Sequence, residues 1–450
     1  MILRLALALA ALADLALARL VPDVGPGTYF RLAAAIVVVL LPGALVAEAL
    51  GRRAASATLA WTLAVLTGAL ALTFALGRSL TFTLILLGLV SVAALALGRG
   101  REVRARAPGS RLVFLAGALL GLALWRVAGF VDGDGLFHLA RVRKLLAFDD
   151  LSLARVSEFA DGGLHPGYAF PLWHGFLALV SKLAGVDPEL VVLHLPSVLA
   201  PFACLVVFEA GWALFRSAWL GAATLAGNVA LIALAPGNGG AFTSLALPAT
   251  AARQLLVPAV LALVFAAIEA PSAGLLASVS AAGLSLALVH PTYALFVALP
   301  LGGFLVVRAF VERVEATRLA AALAALLVPT GAVLLWLLPI VRETASYSPG
   351  ADELERALAR YGSQLELLGG GSYRLAPEVV SRGGAVAVAA LALVPLALLA
   401  GRQRWSAWVL GGSVAVLVPL LEPELFTRLS DAVSLSQSRR LAGFVPFAFA

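Results

Sequence analysis

The chain has 450 residues, of which 62% are hydrophobic and only 13% are charged, and its mean hydropathy is +1.00. Apolar runs of about 20 residues recur along it, and a helix of that length crosses a bilayer. This composition excludes an ordinary soluble domain and predicts a polytopic membrane protein. The net charge of +7 does not indicate a nucleic-acid partner, because most arginines lie in short loops between the apolar runs.

Two further features of the composition bear on the fold. Cys204 is the single cysteine, which excludes an internal disulfide and a cysteine-based metal site. Residues 1–20 form either a signal peptide or a first span; Asp14 interrupts the run and no small-x-small cleavage site is clear, so we predict a span. Asp14 should then face other helices, because a carboxylate facing lipid costs about 2.5–3.5 kcal/mol.

The apolar runs predict an all-α fold, a polytopic membrane helix bundle of about 13–14 spans. A short loop between residues 99 and 111 carries five arginines against one glutamate, which predicts that this loop and the N-terminus are cytoplasmic. The span at 111–130 carries Gly117 and Gly121, a GxxxG spacing that favours close approach of another helix. The predicted spans are residues 2–20, 32–50, 55–76, 79–98, 111–130, 189–214, 217–235, 254–269, 272–289, 294–310, 318–340, 384–400 and 405–421.

In this topology, two long connections lie on the outer face, residues 131–188 and 341–383. Residues 168–185 of the first are apolar and form either a span or a helix at the membrane interface; the alternation of the later loops favours the interface. Residues 352–368 of the second have apolar side chains at helical spacing, which predicts an amphipathic helix. The three glycines at 369–371 that follow predict a hinge.

The first outer connection opens with two carboxylates, Asp132 and Asp134, directly after a predicted span. On a helix beginning near this point, Asp134, His138 and Arg141 occupy positions i, i+4 and i+7 and share one face. A carboxylate, an imidazole and a guanidinium would then line one side. The alternative is structural: Asp134 caps the helix N-terminus and the basic residues contact lipid headgroups.

Three short motifs in this connection resemble the first external loop of the GT-C glycosyltransferases. These polytopic enzymes take a sugar from a polyprenyl-phosphate or polyprenyl-diphosphate carrier; they include protein mannosyltransferases, aminoarabinose transferases, arabinofuranosyltransferases and the catalytic subunit of oligosaccharyltransferase. The resemblance implies a GT-C-like core over residues 111–450, preceded by about four added helices in residues 1–110. The motifs are Asp134-Gly-Leu-Phe-His-Leu-Ala-Arg141, His165-Pro-Gly-Tyr-Ala-Phe-Pro-Leu-Trp-His174 and Leu183-Ala-Gly-Val-Asp-Pro188.

The resemblance also implies a reactive carboxylate, because the family uses an acidic residue just after the first core helix. Asp134 holds that position, and Asp132 is the alternative. The resemblance further implies a mobile, substrate-covering segment in residues 341–383. It leaves a divalent cation open, since some relatives use one, and we predict no metal ligands. The implied partners are a polyprenyl-phosphate-linked sugar, membrane lipid, and a glycan, lipid or protein acceptor at the outer face of the cell membrane.

A lipid phosphate leaving group requires cations near the membrane surface, and the planar guanidinium of arginine matches phosphate oxygens. Arg439 and Arg440 lie at the outer end of the last apolar segment, and Arg253 lies at the outer start of a predicted span. Interfacial anchoring is the alternative for all three. The other candidates are Arg141, His165 and His290 for substrate binding, and His138 for catalysis beside Asp134 and Asp132.

Two other classes of function stay open at this point. A transporter or flippase for a lipid-linked glycan would place charged residues inside spans near the membrane midplane, whereas the ionisable groups of this chain gather in the outer loops. A non-catalytic protein of cell-envelope assembly would have the same sequence patterns. The resemblance therefore implies a membrane glycosyltransferase with Asp134 as general base, and the predicted topology places its active site on the outer face.

Overall fold

The computed structural model describes residues 2–98, 107–159, 162–234, 241–346, 351–368, 372–381 and 384–446. Residues 99–106, which make up most of the basic loop, and the glycines at 369–371 lie outside the described residues. The first half of the chain forms nine helices in the described ranges. They are α1 Ile2–Ala18, α2 Pro26–Ala49, α3 Ala55–Ala75, α4 Leu80–Leu97, α5 Ser110–Val127, α6 Asp134–Ala147, α7 Leu172–Ala184, α8 Pro188–Phe215 and α9 Ala218–Leu234.

The second half is also helical, with one short antiparallel hairpin. The π-helical turn Ala252–Leu256 joins α10 to α11, and a 3-10 segment, Arg439–Phe444, follows α20. The elements are α10 Pro248–Ala251, α11 Val257–Glu269, α12 Ala273–Val289, α13 Pro291–Val311, α14 Arg313–Ser346, α15 Ala351–Arg360, β1 Leu365–Leu367, β2 Tyr373–Leu375, α16 Pro377–Ser381, α17 Ala385–Leu393, α18 Arg404–Leu421, α19 Pro423–Val433 and α20 Leu435–Ser438.

Among the described residues, nine helices are long and apolar enough to cross a membrane. This confirms the prediction of a membrane helix bundle. Several helix ends lie within a residue or two of the predicted ends, because a polar cap follows or precedes an apolar run. Asp187 accepts a hydrogen bond of 2.8 Å from the backbone N–H of Glu189 at the start of α8, and Ser272 caps α12 through Leu275 N–H at 3.2 Å.

The GxxxG spacing in α5 has the predicted consequence. A Cβ atom at Gly117 would lie 2.6 Å from Cα of Pro201 in α8, and a Cβ at Gly121 would overlap the backbone oxygen of Ser197. The two helices therefore approach so closely that only glycine fits at these positions.

The position of α7 corrects the prediction of an interfacial helix for residues 168–185. Its 13 residues span about 20 Å, which is too short for a bilayer core. Both sides of the helix are enclosed: Trp173, Phe176 and Leu177 are at most 2% exposed. Because all sides of α7 are covered, the helix packs inside the protein, where Trp173 donates a hydrogen bond of 2.7 Å to the backbone oxygen of Ala246.

Two smaller predictions are also wrong. Asp14 is exposed rather than directed at other helices, and it lies four residues, about 6 Å, before the end of α1, close enough for the carboxylate to reach the interface. The amphipathic helix expected over residues 352–368 ends at Arg360. The chain after Gly362 forms β1, because backbone pairing of Leu365 with Leu375 competes with the helix.

One end of the bundle is joined by a network of ion pairs between four connections. Arg404 Nη2 lies 2.6 Å from Oε1 of Glu315 and 3.3 Å from Oε2 of Glu269. Arg308 Nη2 lies 2.7 Å from Glu315 Oε2, and Arg216 Nη2 lies 3.8 Å from Glu269 Oε1. The sequence predicts that these connections share one side of the membrane, and their contact supports that grouping.

Candidate active site at one end of the bundle

The helix that carries the two-carboxylate motif begins at Asp134. Gly133 precedes it with φ of +48°, a conformation that favours glycine. Gly133 is the N-cap residue and no side chain caps the helix, so the carboxylate of Asp134 is not engaged as an N-cap. Asp134 lies in the first turn and is exposed, as is Asp132. A carboxylate in the first turn is favoured by the helix dipole.

His138, one turn further along α6, is bound to a second imidazole. Its Nδ1 lies 2.9 Å from Nε2 of His174 on α7, so one nitrogen donates and the other accepts. Burial, together with the nearby positive charge of Arg141, lowers the pKa of His138 to about 3. His138 is therefore a neutral imidazole at physiological pH, suited to orienting its neighbours rather than to donating protons as an imidazolium.

Arg141 connects α6 to the irregular chain that follows. Its side chain is 2% exposed and forms an ion pair of 2.9 Å with Glu158. It also donates a hydrogen bond to the backbone oxygen of Tyr168, and Lys144 donates one to the backbone oxygen of Ser157. These contacts hold residues 157–159 and 162–168 against α6, the helix that carries Asp134.

Two turns of identical pattern, His-Pro-x-Tyr, meet at this end of the bundle. In His165–Tyr168 the backbone N–H of the tyrosine donates to the histidine oxygen at 3.0 Å, and in His290–Tyr293 the same bond is also 3.0 Å. Proline at the second position supplies the φ angle that such a turn requires. In each turn the two rings stack, with centroids 5.3 Å apart in the first and 3.8 Å apart in the second.

The second turn contacts one of the two C-terminal arginines. Arg440 Nη1 lies 3.5 Å from Nε2 of His290 and donates to it. Phe444 packs edge-on against Tyr293 at 5.2 Å, and the guanidinium of Arg253 lies 4.9 Å from the centre of the Phe444 ring. Arg253 is 2% exposed, and a Cβ at the adjacent Gly443 would overlap its guanidinium. The glycine therefore makes room for the arginine.

Arg439 faces away from Arg440 and toward the second long connection. Its guanidinium lies 3.8 Å from the centre of the Tyr361 ring, and it donates to the side-chain oxygen of Gln364. Both partners lie between α15 and β1. Arg439 therefore fastens this connection to the C-terminal segment, so the structure gives the two adjacent arginines different surroundings.

Tyr168 lies where the two groups of residues meet. Burial raises its pKa to about 12; the charge of Arg440 acts in the opposite direction, and Tyr293 and Asp134 add to the rise. The ring of Tyr168 lies 5.1 Å from that of His138 on α6 and 5.7 Å from that of His174 on α7, so α6, α7 and the first His-Pro-x-Tyr turn meet at this residue. Asp134 is close enough to Tyr168 to affect its pKa. The backbone oxygen of Asp132 accepts a hydrogen bond of 2.8 Å from Gly135 N–H, and the carboxylate of Asp132 does not contribute to the pKa of Tyr168.

The structure thus gathers most of the predicted site residues at one end of the bundle. Four residues of this cluster are not among the predicted site residues: Glu158, Tyr168, His174 and Tyr293. Tyr168 and Tyr293 had a signal in the sequence, the repeated His-Pro-x-Tyr pattern, and His174 ends the second of the quoted motifs. Glu158 had none, because it follows Arg141 by 17 residues of irregular chain. The described residues include no group of three or more His, Cys, Asp or Glu side chains that could hold a metal ion.

The buried imidazoles of His138 and His290 predict a dependence of stability on pH. Burial lowers the pKa of His290 to about 3, assisted by Arg440, while an unfolded histidine has a pKa near 6.5. As pH falls from about 6.5 toward 3, the histidine therefore binds a proton in the unfolded state but not in the folded state. The free energy of unfolding decreases over that range of pH. Each histidine should contribute about 1.4 kcal/mol per pH unit.

We expect the melting temperature of the purified protein to fall between pH 7 and pH 5.5, and to fall less in His290→Gln. The same variant at pH 7.5, where the unfolded histidine is already neutral, measures the cost of the substitution itself. Equal falls in the two proteins would mean that His290 accepts its proton in the folded state.

Comparison with known proteins adds no family to these observations: no family model, no curated protein and no solved structure matches the chain.

Proposed function

We propose that this protein is an integral membrane glycosyltransferase of the GT-C type, which moves a sugar from a polyprenyl-phosphate carrier to an acceptor on the outer face of the membrane. The observation that carries the proposal is the grouping of an exposed carboxylate, Asp134, with two cations, Arg440 beside His290 and Arg253 beside Phe444, at one end of the bundle. A carboxylate and cations are the two kinds of group that this reaction requires.

In the proposed reaction, an acceptor hydroxyl attacks the anomeric carbon of the sugar. The bond from that carbon to the phosphate oxygen breaks, and its electron pair leaves with the polyprenyl phosphate. The proton of the hydroxyl passes to the carboxylate of Asp134, which is exposed and therefore accessible to an acceptor. Asp132 is the less suitable base, because its carboxylate is not aligned on α6 with His138.

The leaving phosphate gains negative charge as the bond breaks. Arg440 and Arg253 would stabilise that charge through charge-assisted hydrogen bonds. Gly443 lets the buried guanidinium of Arg253 lie beside the C-terminal segment, so this cation does not have to move into place. His138, His165 and His290 would position the surrounding chain and the aromatic rings that border the substrate.

The distribution of buried charge supports an enzyme over a transporter. In the part of the chain that the structure describes, the buried Arg and Glu side chains lie near helix ends, within the short helix α6 or outside the spans. A transport path would need ionisable groups near the middle of the spans. These side chains are Arg141, Glu209, Arg253, Arg308 and Arg439.

The experiment that tests the proposal offers the purified full chain a panel of polyprenyl-phosphate-linked hexoses and pentoses, with mixed oligosaccharide, lipid and peptide acceptors. We expect free polyprenyl phosphate to appear with at least one donor, detected by mass spectrometry, and to be lost in Arg253→Gln/Arg440→Gln. In the same membranes, a fluorescent lipid-linked sugar reports transport between leaflets. Transport without release from any donor would contradict the proposal and favour a flippase.

A further inference from the structure

Three aromatic rings of the connection between α6 and α7 lie in a row. The rings of Phe159 and His165 are nearly parallel, with 7° between their planes and centroids 6.3 Å apart, which is the geometry of offset stacking. The ring of Tyr168 continues the row at 5.3 Å from His165. Phe137 on α6 lies beside these three residues, which we call the aromatic row, at 6.0 Å from His165 and 5.9 Å from Tyr168. The four side chains therefore form one aromatic surface.

The outer end of the aromatic row is held by backbone and side-chain hydrogen bonds. Ser157 Oγ donates to the backbone oxygen of Gly163 at 2.6 Å and accepts from Phe159 N–H at 3.4 Å. Gly167 N–H donates to Nδ1 of His165 at 3.0 Å and so sets the orientation of that ring. The side chain of Phe159 is nevertheless 46% exposed. A large apolar ring is thus presented to the exterior from a chain that is fixed on both sides of it.

The inner end of the row is closed by the imidazoles of α6 and α7. The ring of Tyr168 meets those of His138 and His174 edge-on, at 87° and 88°. The two histidines are 4% and 1% exposed, so they form a floor behind the row. A ligand therefore reaches the row from the side on which Phe159 is exposed.

A carboxylate lies next to this aromatic surface. Asp134 precedes Phe137 by three residues on α6, and residues with that spacing are neighbours on a helix, with Cβ atoms about 5–6 Å apart. Asp134 is exposed. It is also close to Tyr168, whose pKa is raised mainly by burial and in smaller part by this carboxylate. The surface thus combines apolar ring faces with an accessible hydrogen-bond acceptor at its edge.

This combination of groups matches a sugar ring. One face of a hexopyranose consists mainly of C–H groups, whose positive polarisation is attracted to the negative face of an aromatic ring. The hydroxyls lie around the edge of the sugar and donate hydrogen bonds to a carboxylate. A hydrocarbon chain would match the ring faces, but it would cover the carboxylate and the imidazole edge without supplying hydrogen bonds. The surroundings therefore favour a carbohydrate over a lipid.

The positions of the cations indicate which sugar of the reaction binds here. Arg440 contacts His290 in the second His-Pro-x-Tyr turn, and Arg253 lies beside Phe444. The phosphate of a donor, together with its sugar, would lie near these arginines. The aromatic row belongs instead to the first turn and the chain before it, beside the helix that carries Asp134. A sugar on the row would present a hydroxyl to the carboxylate that takes its proton, as an acceptor must.

We propose that the aromatic row and Phe137 bind the acceptor of the transfer reaction and that this acceptor is a carbohydrate, whose terminal sugar ring lies on the faces of Phe159 and His165. The inference rests on the proposed transferase function and specifies the class of its acceptor. Acceptor binding precedes any change of bonds, so it is measured without a donor.

The test measures binding of trisaccharides to the purified full chain in phosphatidylcholine nanodiscs, because detergents with sugar headgroups would compete for the same surface. Trisaccharides of mannose, glucose, galactose, arabinose and N-acetylglucosamine are offered without a donor, and saturation-transfer NMR reports binding. We expect at least one of them to bind, with a dissociation constant that rises about fivefold in Phe159→Ala, typical of one aromatic contact. Phe159→Tyr keeps the ring and should retain the affinity.

Phe310→Ala is the matched control. Phe310 is 88% exposed near the end of α13, about 28 Å along that helix from the turn that contains His290, and its loss should leave binding unchanged. Elution volume and melting temperature establish that each variant is folded. Binding of no trisaccharide, or an equal affinity in Phe159→Ala and the unmodified protein, would overturn the proposal. So would binding of a peptide rich in serine and threonine in place of every trisaccharide.

Transfer assays separate this inference from the proposed function. Asp134→Asn should lose turnover and keep trisaccharide binding, since asparagine still accepts a hydrogen bond. Phe159→Ala should raise KM for a carbohydrate acceptor about fivefold and change kcat less. Trisaccharide binding that depends on Phe159, without release of polyprenyl phosphate from any donor, would support the carbohydrate site and contradict the transferase. Release that requires a lipid or peptide acceptor would support the transferase and overturn the carbohydrate acceptor.

Discussion

Asp134→Asn is expected to abolish sugar transfer, with turnover falling about 10²–10⁴-fold, the usual contribution of a general base. Asparagine has nearly the same shape as aspartate and accepts hydrogen bonds, but it does not take a proton from an acceptor hydroxyl. Asp134 is exposed in the first turn of α6, with no side-chain cap bond at the helix start. The fold should therefore survive, and donor affinity should change less than turnover.

Asp132→Asn is the matched control, because it removes the same charge two residues away in an equally exposed position. We expect its turnover to change by about twofold, which corresponds to about 0.5 kcal/mol, typical of a surface substitution. Release of polyprenyl phosphate measures both variants. If Asp134→Asn keeps full activity, the base is another group; if both variants lose activity equally, the negative charge of the motif matters rather than one carboxylate.

Arg141→Gln is expected to lower the free energy of unfolding by about 3 kcal/mol, near the lower end of the range for breaking a buried ion pair. The substitution leaves Glu158 with a partly buried, uncompensated charge, and it removes the bond to the backbone oxygen of Tyr168. Urea or thermal unfolding in detergent measures the loss. Because the same bonds hold the first His-Pro-x-Tyr turn over α6, the loosened turn should also become accessible to limited proteolysis.

Arg155→Gln provides the comparison for this variant. Arg155 pairs with Asp150 in the same connection, but both side chains are about half exposed, and exposed pairs contribute roughly 0–1 kcal/mol. We expect no measurable change in cleavage within residues 157–168. Similar destabilisation by both substitutions would mean that net charge, and not the buried contact of Arg141, sets the stability of this connection.

The helices could be predicted from the sequence because their signals are local. Apolar runs bounded by charged residues or by caps such as Asp187 and Ser272 gave boundaries that differ from the structure by a residue or two in about half of the spans, whereas α2 begins six residues earlier than predicted and α14 extends five or six residues further at each end. The helix α7 shows what a local signal omits. Its apolar residues indicate burial, but whether lipid or protein covers them depends on α2, α3 and α8, which no short window of sequence contains.

Only the part of the site that lies on one helix could be predicted from the spacing of residues in the sequence. Asp134, His138 and Arg141 share a helix, so their placement on one α6 followed from helical geometry. The pairing of His138 with His174, and of Arg440 with His290, joins segments 36 and 150 residues apart. Such contacts are set by packing of the bundle. The separation of Arg439 from Arg440 was also not predictable, because both are equally suited to binding phosphate.

The two stacked His-Pro-x-Tyr turns have a consequence for ligand affinity. A side chain that is mobile before binding loses about 0.5–1.5 kcal/mol of conformational entropy when a ligand immobilises it. In both turns the proline, the backbone hydrogen bond and the ring stacking already hold histidine and tyrosine in one arrangement. A ligand that meets these rings encounters a preorganised surface, so its binding free energy is not reduced by the ordering of four side chains.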